Sequence, residues 1–290
     1  MTKFWVTLIL LNTGLRAANS VLDKHLVNRK KAHPIAAVFS FGAVGLPIGL
    51  AGLILHQWPP LNEVLKALVA GHLFVTAVWL YYDAVSHEEI SRLVPLLRLA
   101  LIQKLVLADR FLGDTLTTRQ QGAFIAMLLS SVLLGLKPDR RSVAFTRTAW
   151  RILPVTTLLA IRGVLIAHVY RTTSVGIGIA WEGLGIAIGS VLLALIWARG
   201  QPEVLWTVVR QAAWKILLLE QAGRKITSLI PAYVVAQGAP VALVSVLGSM
   251  RPVWVWLLAL RFLDERRERH DLLLKGSGVL GMVLGVRLLG

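Results

Sequence analysis

The chain has 290 residues, no cysteine and 10 tryptophans, and its 31 Lys and Arg against 15 Asp and Glu give a formal net charge of +16. Hydrophobic residues make up 56% and charged residues 16%, against roughly 45–50% and about 25% in soluble domains. An ordinary water-soluble globule is excluded. The absence of cysteine removes disulfide scaffolds and cysteine-based metal or iron-sulfur sites.

Long, nearly uncharged runs alternate with short basic clusters, which is the pattern of membrane spans with charged flanks rather than of a nucleic-acid-binding surface. A span needs about 20 mostly apolar residues to cross a hydrocarbon core of about 30 Å. Ten helices are expected on that criterion: 3–23, 34–56, 65–86, 90–111, 119–136, 149–171, 174–198, 212–236, 239–261 and 272–289. The first could pass for a signal peptide, with Lys3 ahead of an apolar stretch from Phe4 to Leu11. Asn12 and Arg16 interrupt that stretch and the apolar pattern resumes after them, so it reads as a span. Asn12, Arg16, Asn19 and Asp23 follow steps of four, three and four and share one face of the helix, a stripe that lipid would not tolerate.

After the third span, His87-Glu88-Glu89-Ile90-Ser91 begins like a zinc-protease motif but has Ser91 where the second His must stand. No metal or cofactor is expected. The fourth span carries Arg98 and Lys104, and the sixth carries Arg162 near its middle. In the seventh, Gly178, Glu182, Gly185 and Gly189 form a stripe along which another helix can approach closely, and Glu182 either answers an arginine or carries a proton. The eighth is the most charged: Glu220, Gln221, Arg224, Lys225 and Ser228 lie at helical spacings, and Glu220 and Arg224 form an i,i+4 pair. Its alternative is an interfacial helix over residues 206–225. The ninth holds Arg251 and Pro252. In the tenth, Gly276-Ser277-Gly278-Val279-Leu280-Gly281 matches a dinucleotide fingerprint by letter, yet without a preceding strand it is helix-packing glycine.

The fourth and ninth spans close alike, with Arg110-Phe111-Leu112-Gly113-Asp114 and Arg261-Phe262-Leu263-Asp264-Glu265 at an offset of 151, and the same offset carries Tyr82 onto Tyr233. An internal repeat of five helices follows, over 1–137 and 149–290 with a connecting loop at 138–148. Five is odd, so the second copy enters the membrane from the opposite side. The expected fold is therefore an all-α integral membrane protein of ten transmembrane helices, built as two inverted five-helix repeats.

A helix with Pro252, a closing Leu-Asp-Glu or Leu-Gly-Asp and a glycine-rich final helix together resemble the EamA-like branch of the drug/metabolite transporter superfamily. The resemblance runs over nearly the whole chain. It implies a secondary transporter of the bacterial inner membrane, with a substrate range too broad to name. Two features depart from the pattern: Leu101 stands opposite Pro252 at the offset, and the eighth span is unusually charged.

Lys and Arg between spans number 15 on one side and 6 on the other, which sets the richer side in the cytoplasm and both termini outside, whereas the family resemblance implies cytoplasmic termini. Inside the spans, Arg16, Arg98, Arg162, Arg224, Lys225 and Arg251 outnumber Glu182 and Glu220. These eight form the candidate substrate site. Each central cation costs about 2.5–3.5 kcal/mol on insertion scales, so the excess calls for an anion or a hydrated cavity. The expected partners are membrane lipids and an anionic solute or lipid-linked substrate bearing phosphate or carboxylate, moved by alternating access, with no nucleic acid. Competing readings are an exporter of amino acids or drugs whose charges pair internally, an intramembrane enzyme, for which no catalytic constellation is present, and a non-transporting assembly factor. The sequence sets no oligomeric state.

Overall fold

The computed structural model describes residues 3–30, 33–55, 58–87, 96–97, 99–135, 142–199, 202–211, 214–239, 241–248, 250–262, 276–281 and 284. Among the described residues every regular element is a helix. In chain order these are α1 (Lys3–Lys30), α2 (Pro34–Leu55), α3 (Leu61–His87), α4 (Leu99–Leu112), α5 (Thr118–Gly135), α6 (Ser142–Thr172), α7 (Val175–Ala198), α8 (Pro202–Gln211), α9 (Trp214–Ala236), α10 (Val241–Gly248) and α11 (Arg251–Phe262), with residues 276–281 also helical.

Four of them, Pro34–Ile54, Leu61–Val85, Trp150–Thr172 and Val175–Ala198, are long and apolar enough to cross a membrane. Their outward faces expose large apolar side chains such as Leu46, Leu50, Ile188, Leu192 and Ile196, as a helix facing lipid does. The helix ends follow local rules. Thr117 and Gln120 form a reciprocal capping box at the start of α5, with bonds of 3.0 and 3.3 Å between side chain and backbone N–H. Ser174 caps α7 by accepting from the Ile177 N–H at 3.2 Å. Gly113 and Gly238 take positive φ values of 66° and 86° just beyond α4 and α9, which ends both helices.

Three boundaries differ from the sequence expectation. Residues 142–148, expected in the connecting loop, are helical and lengthen α6. The eighth expected span begins at Trp214, and before it lies a separate amphipathic helix, α8, with Leu205 and Val208 packed on the core and Trp206 exposed. The ninth is two helices, broken between Gly248 and Arg251. Pro252 stands in the first turn of α11, where its missing N–H costs nothing, so the chain restarts there instead of continuing α10.

The densest packing joins α2 to α7 and α3 to α6 and α7. The glycine stripe explains the approach of these backbones. A Cβ on Gly185 would stand 2.3 Å from the Leu68 carbonyl oxygen, and one on Gly183 would stand 2.8 Å from that of Gly45. Only glycine permits such backbone contact, and it lets dispersion act over the whole length of the helix pair. Around this slab, α1 packs on α9, α10 and α11, and α4 packs on α6 and α10.

Candidate functional site

A cavity of about 310 Å³ lies where α1, α4, α6, α9, α10 and α11 meet. That is the lower end of the ~300–1,000 Å³ of small-molecule sites. Four helices each send one cation to its wall: Arg16 from α1, Lys104 from α4, Arg162 from α6 and Arg251 from α11. Among the described residues no Asp or Glu is on the wall. Like charges therefore face one another; Arg16 interacts electrostatically with Arg162 and Arg251, and Lys104 with Arg16 and Arg162.

Local structure places each of these groups. Asn12 and Arg16 are one turn apart on α1 and both face the cavity, as the stripe predicts. Asn12 is 1% exposed and its Oδ1 has no hydrogen-bond partner among the described residues, so a donor from water or ligand would satisfy it. Lys104 lies against Gly163, whose missing side chain makes the room: a Cβ there would be 2.9 Å from Lys104 Cε. Arg251 is the first residue of α11, at the break after α10, and reaches the cavity wall from there.

Behind the wall, Arg162 donates through Nε to Glu182 Oε1 at 2.8 Å and again through Nη2 to the same oxygen. Its guanidinium lies 5.0 Å from the centre of the Phe74 ring. Glu182 is 2% exposed and lies outside the cavity lining. Tyr170, on the wall, and Lys225 both interact electrostatically with it. Glu220 and Arg224 are bonded to each other on a different side of α9, where Arg224 lies 5.7 Å from the Phe41 ring centre and Gln221 Nε2 donates to Glu220 Oε2 at 2.9 Å.

Of the eight candidate residues, the structure brings Arg16, Arg162 and Arg251 to one cavity, with Glu182 bonded behind Arg162. Glu220, Arg224 and Lys225 are not among its lining residues. Arg98 lies outside the described residues. Lys104 and Tyr170 are on the wall without having been singled out by sequence. Lys104 is visible there as an intramembrane cation, but its partnership with Gly163 is not, because no spacing rule links residues of two helices.

Polar contacts join three helix ends beside the cavity. Asp114 Oδ2 accepts from Arg171 Nη2 at 3.0 Å and from the Val241 N–H at 2.8 Å, and Arg171 also donates to the Ala239 carbonyl at 3.2 Å. Val241 lines the cavity, so the tether between the ends of α4, α6 and α9 forms its rim. Beside it, Glu63 holds Lys66 at 2.7 Å and accepts from Thr172 at 3.1 Å.

Fold and cavity define a chain that is helical throughout its described regular elements, four of its helices able to cross a bilayer, with a cationic chamber between helices. No family model matches the chain, and no curated protein matches it. A solved structure described only as "Crystal structure of protein" is similar with a TM-score of 0.67 over 100% of both chains, at 13% identity. At that identity the likeness is one of fold.

Proposed function

We propose that this chain is a membrane carrier that binds a small anion, bearing carboxylate or phosphate, in the cavity between α1, α4, α6 and α11. One observation carries the reading: four cations from four helices line a chamber whose wall has no carboxylate among the described residues. Glu182 offsets Arg162 from behind the wall, and the like charges that face one another across the chamber repel in a low-dielectric interior. A bound anion relieves that repulsion, and the planar fork of Arg suits a carboxylate or phosphate.

The ten-span inverted repeat belongs to this proposal and has two supports. The first is the pattern of neighbours. The packing of α3 on α6 has its counterpart in α9 on α1, and that of α4 on α6 in α10 and α11 on α1, as exchange of two repeats requires. The second is that α11 begins within one residue of where the offset of 151 carries the start of α4. Discontinuous helices at the midplane are where such carriers hold substrate.

The test is a thermal unfolding series on purified protein with carboxylates and phosphomonoesters against neutral and cationic analogues of the same size. A ligand at 100 times its Kd stabilises by about 2.7 kcal/mol. The expected result is a rise with anions alone, lost in Arg16→Gln and Arg251→Gln variants that still fold, and uptake of the same anion into proteoliposomes. Stabilisation by zwitterions or neutral solutes without any response to anions would overturn the reading in favour of an exporter with internally paired charges.

A further inference from the structure

Polar groups of two opposite kinds line the cavity. Its four cations can only donate hydrogen bonds. Asn12, Thr13 and Ser228, on the same wall, present acceptors. Thr13 Oγ1 stands 2.6 Å from the Leu10 carbonyl oxygen, and Ser228 Oγ 2.7 Å from that of Lys225. A carbonyl cannot donate, so each hydroxyl proton is committed to its own helix and lone pairs are left for the cavity. Asn12 is 1% and Thr13 2% exposed, and Asn12 Oδ1 has no donor among the described residues. A buried acceptor in that condition calls for a partner from outside the chain.

Helix pairing sets these acceptors at one level. α1 and α9 pack side by side and run antiparallel: Trp5 meets Tyr233 with ring centres 5.5 Å apart, and farther along a Cβ on Gly223 would stand 3.2 Å from Asn19 Oδ1. Midway between those two contacts fall Asn12 on α1 and Ser228 on α9. Arg16 follows Asn12 by one turn on the same face, a rise of about 5.4 Å for 3.6 residues, so one small molecule can reach both.

Resting on the anion-site reading above, we infer that the solute carries a hydroxyl as well as its anionic group, as a hydroxycarboxylate or a hydroxylated phosphate ester does, with the hydroxyl seated between α1 and α9 at Asn12 and Ser228. An ionised carboxylate or phosphate satisfies the cations but gives nothing to an acceptor. An ammonium could donate there, yet it would enter a chamber lined by four cations. A hydroxyl donates without adding charge, and because it also accepts, it pairs with either end of the Asn12 amide. Asn12 and Ser228 are on this account specificity residues that read the group beside the charge.

Two series of probes, each varying one group, test this: lactate, propionate and alanine for a carboxylate, and 2-hydroxyethyl, ethyl and 2-aminoethyl phosphate for a phosphate ester. Affinities are measured by titration calorimetry on purified protein at one mildly alkaline pH. There every acid group is ionised, and any titration of Lys104 is common to the hydroxylated and plain members. The hydroxylated member should bind about tenfold or more tightly than the plain one, and the amino member no more tightly than the plain one. Whichever series binds names the anionic group. In Asn12→Leu the preference for hydroxyl should fall to within about twofold, and Ser228→Ala should reduce it in part. Equal binding of hydroxylated and plain members by the wild type would mean that water satisfies the acceptors, and would overturn the inference while the anion site stands; that comparison does not depend on any variant folding. A preference that survives both substitutions, or tightest binding of an amino member, overturns it as well. Binding of no member of either series would instead remove the anion site itself, and this inference with it.

Discussion

The slab of α2, α3, α6 and α7 and the half built from α1, α4, α9, α10 and α11 solve the same problem in opposite ways. In the slab, helices meet backbone to backbone through glycine, and its four members are the ones apolar enough to be recognised as spans. The other half brings cations inward and stays open at its centre. Close packing leaves no room for a solute, and an open cationic chamber contributes little cohesion. One half supplies stability and the other gives up stability for an open cationic chamber. Arg162 and Glu182 join them, since the carboxylate is in the slab and the guanidinium reaches the chamber.

That division breaks most sharply at Gly185. Its replacement by Ala puts a Cβ 2.3 Å from a backbone oxygen that cannot move without displacing α3. The expected loss is about 3 kcal/mol, at the upper end for overpacking, and Gly185→Leu should prevent folding. Thermal unfolding in detergent and size-exclusion profiles measure both; a stable Gly185→Leu would mean that the slab is not held by this contact.

The Glu220 and Arg224 pair tests whether charge at the packed interface of α9 and α2 is structural. Glu220→Gln takes the carboxylate away from a half-buried guanidinium and should cost about 3 kcal/mol. Adding Arg224→Gln should recover part of that loss, because the guanidinium that lost its carboxylate is removed. Simple addition of the two losses in the same unfolding assay would show that the residues do not interact.

The smallest effect on stability is expected at Gly163, on the chamber side. Gly163→Ala gains about 1 kcal/mol of helix propensity, offset by pushing aside Lys104, a flexible chain whose far end can move. Stability should change by less than about 1 kcal/mol while anion affinity falls, because the ammonium leaves its place on the wall. Unchanged affinity would remove Lys104 from the site.

The helices were largely legible in the sequence, and for a physical reason: a span must be apolar over a length set by the bilayer, and composition over 20 residues reports that directly. The expected 34–56 and 174–198 coincide with α2 and α7 to within a residue. The stripe of Gly178, Gly185 and Gly189 also announced a close approach, although not that its partners would include Leu68 and His72. The break between α10 and α11 was less visible, since Gly248 and Pro252 are each tolerated inside membrane helices and only neighbouring helices decide whether the chain bends or restarts there.

What the sequence determined by itself was which face of its own helix each charged residue takes, because that follows from the helical period. Tertiary structure alone decided which of them meet. Arg224 and Lys225 are adjacent, yet about 100° of helical turn separates them. One therefore faces Phe41 of α2 and bonds Glu220, while the other interacts electrostatically with Glu182 on α7. Periodicity fixes the direction of a side chain relative to its own axis, and only the packing of a second and third helix supplies what stands in that direction.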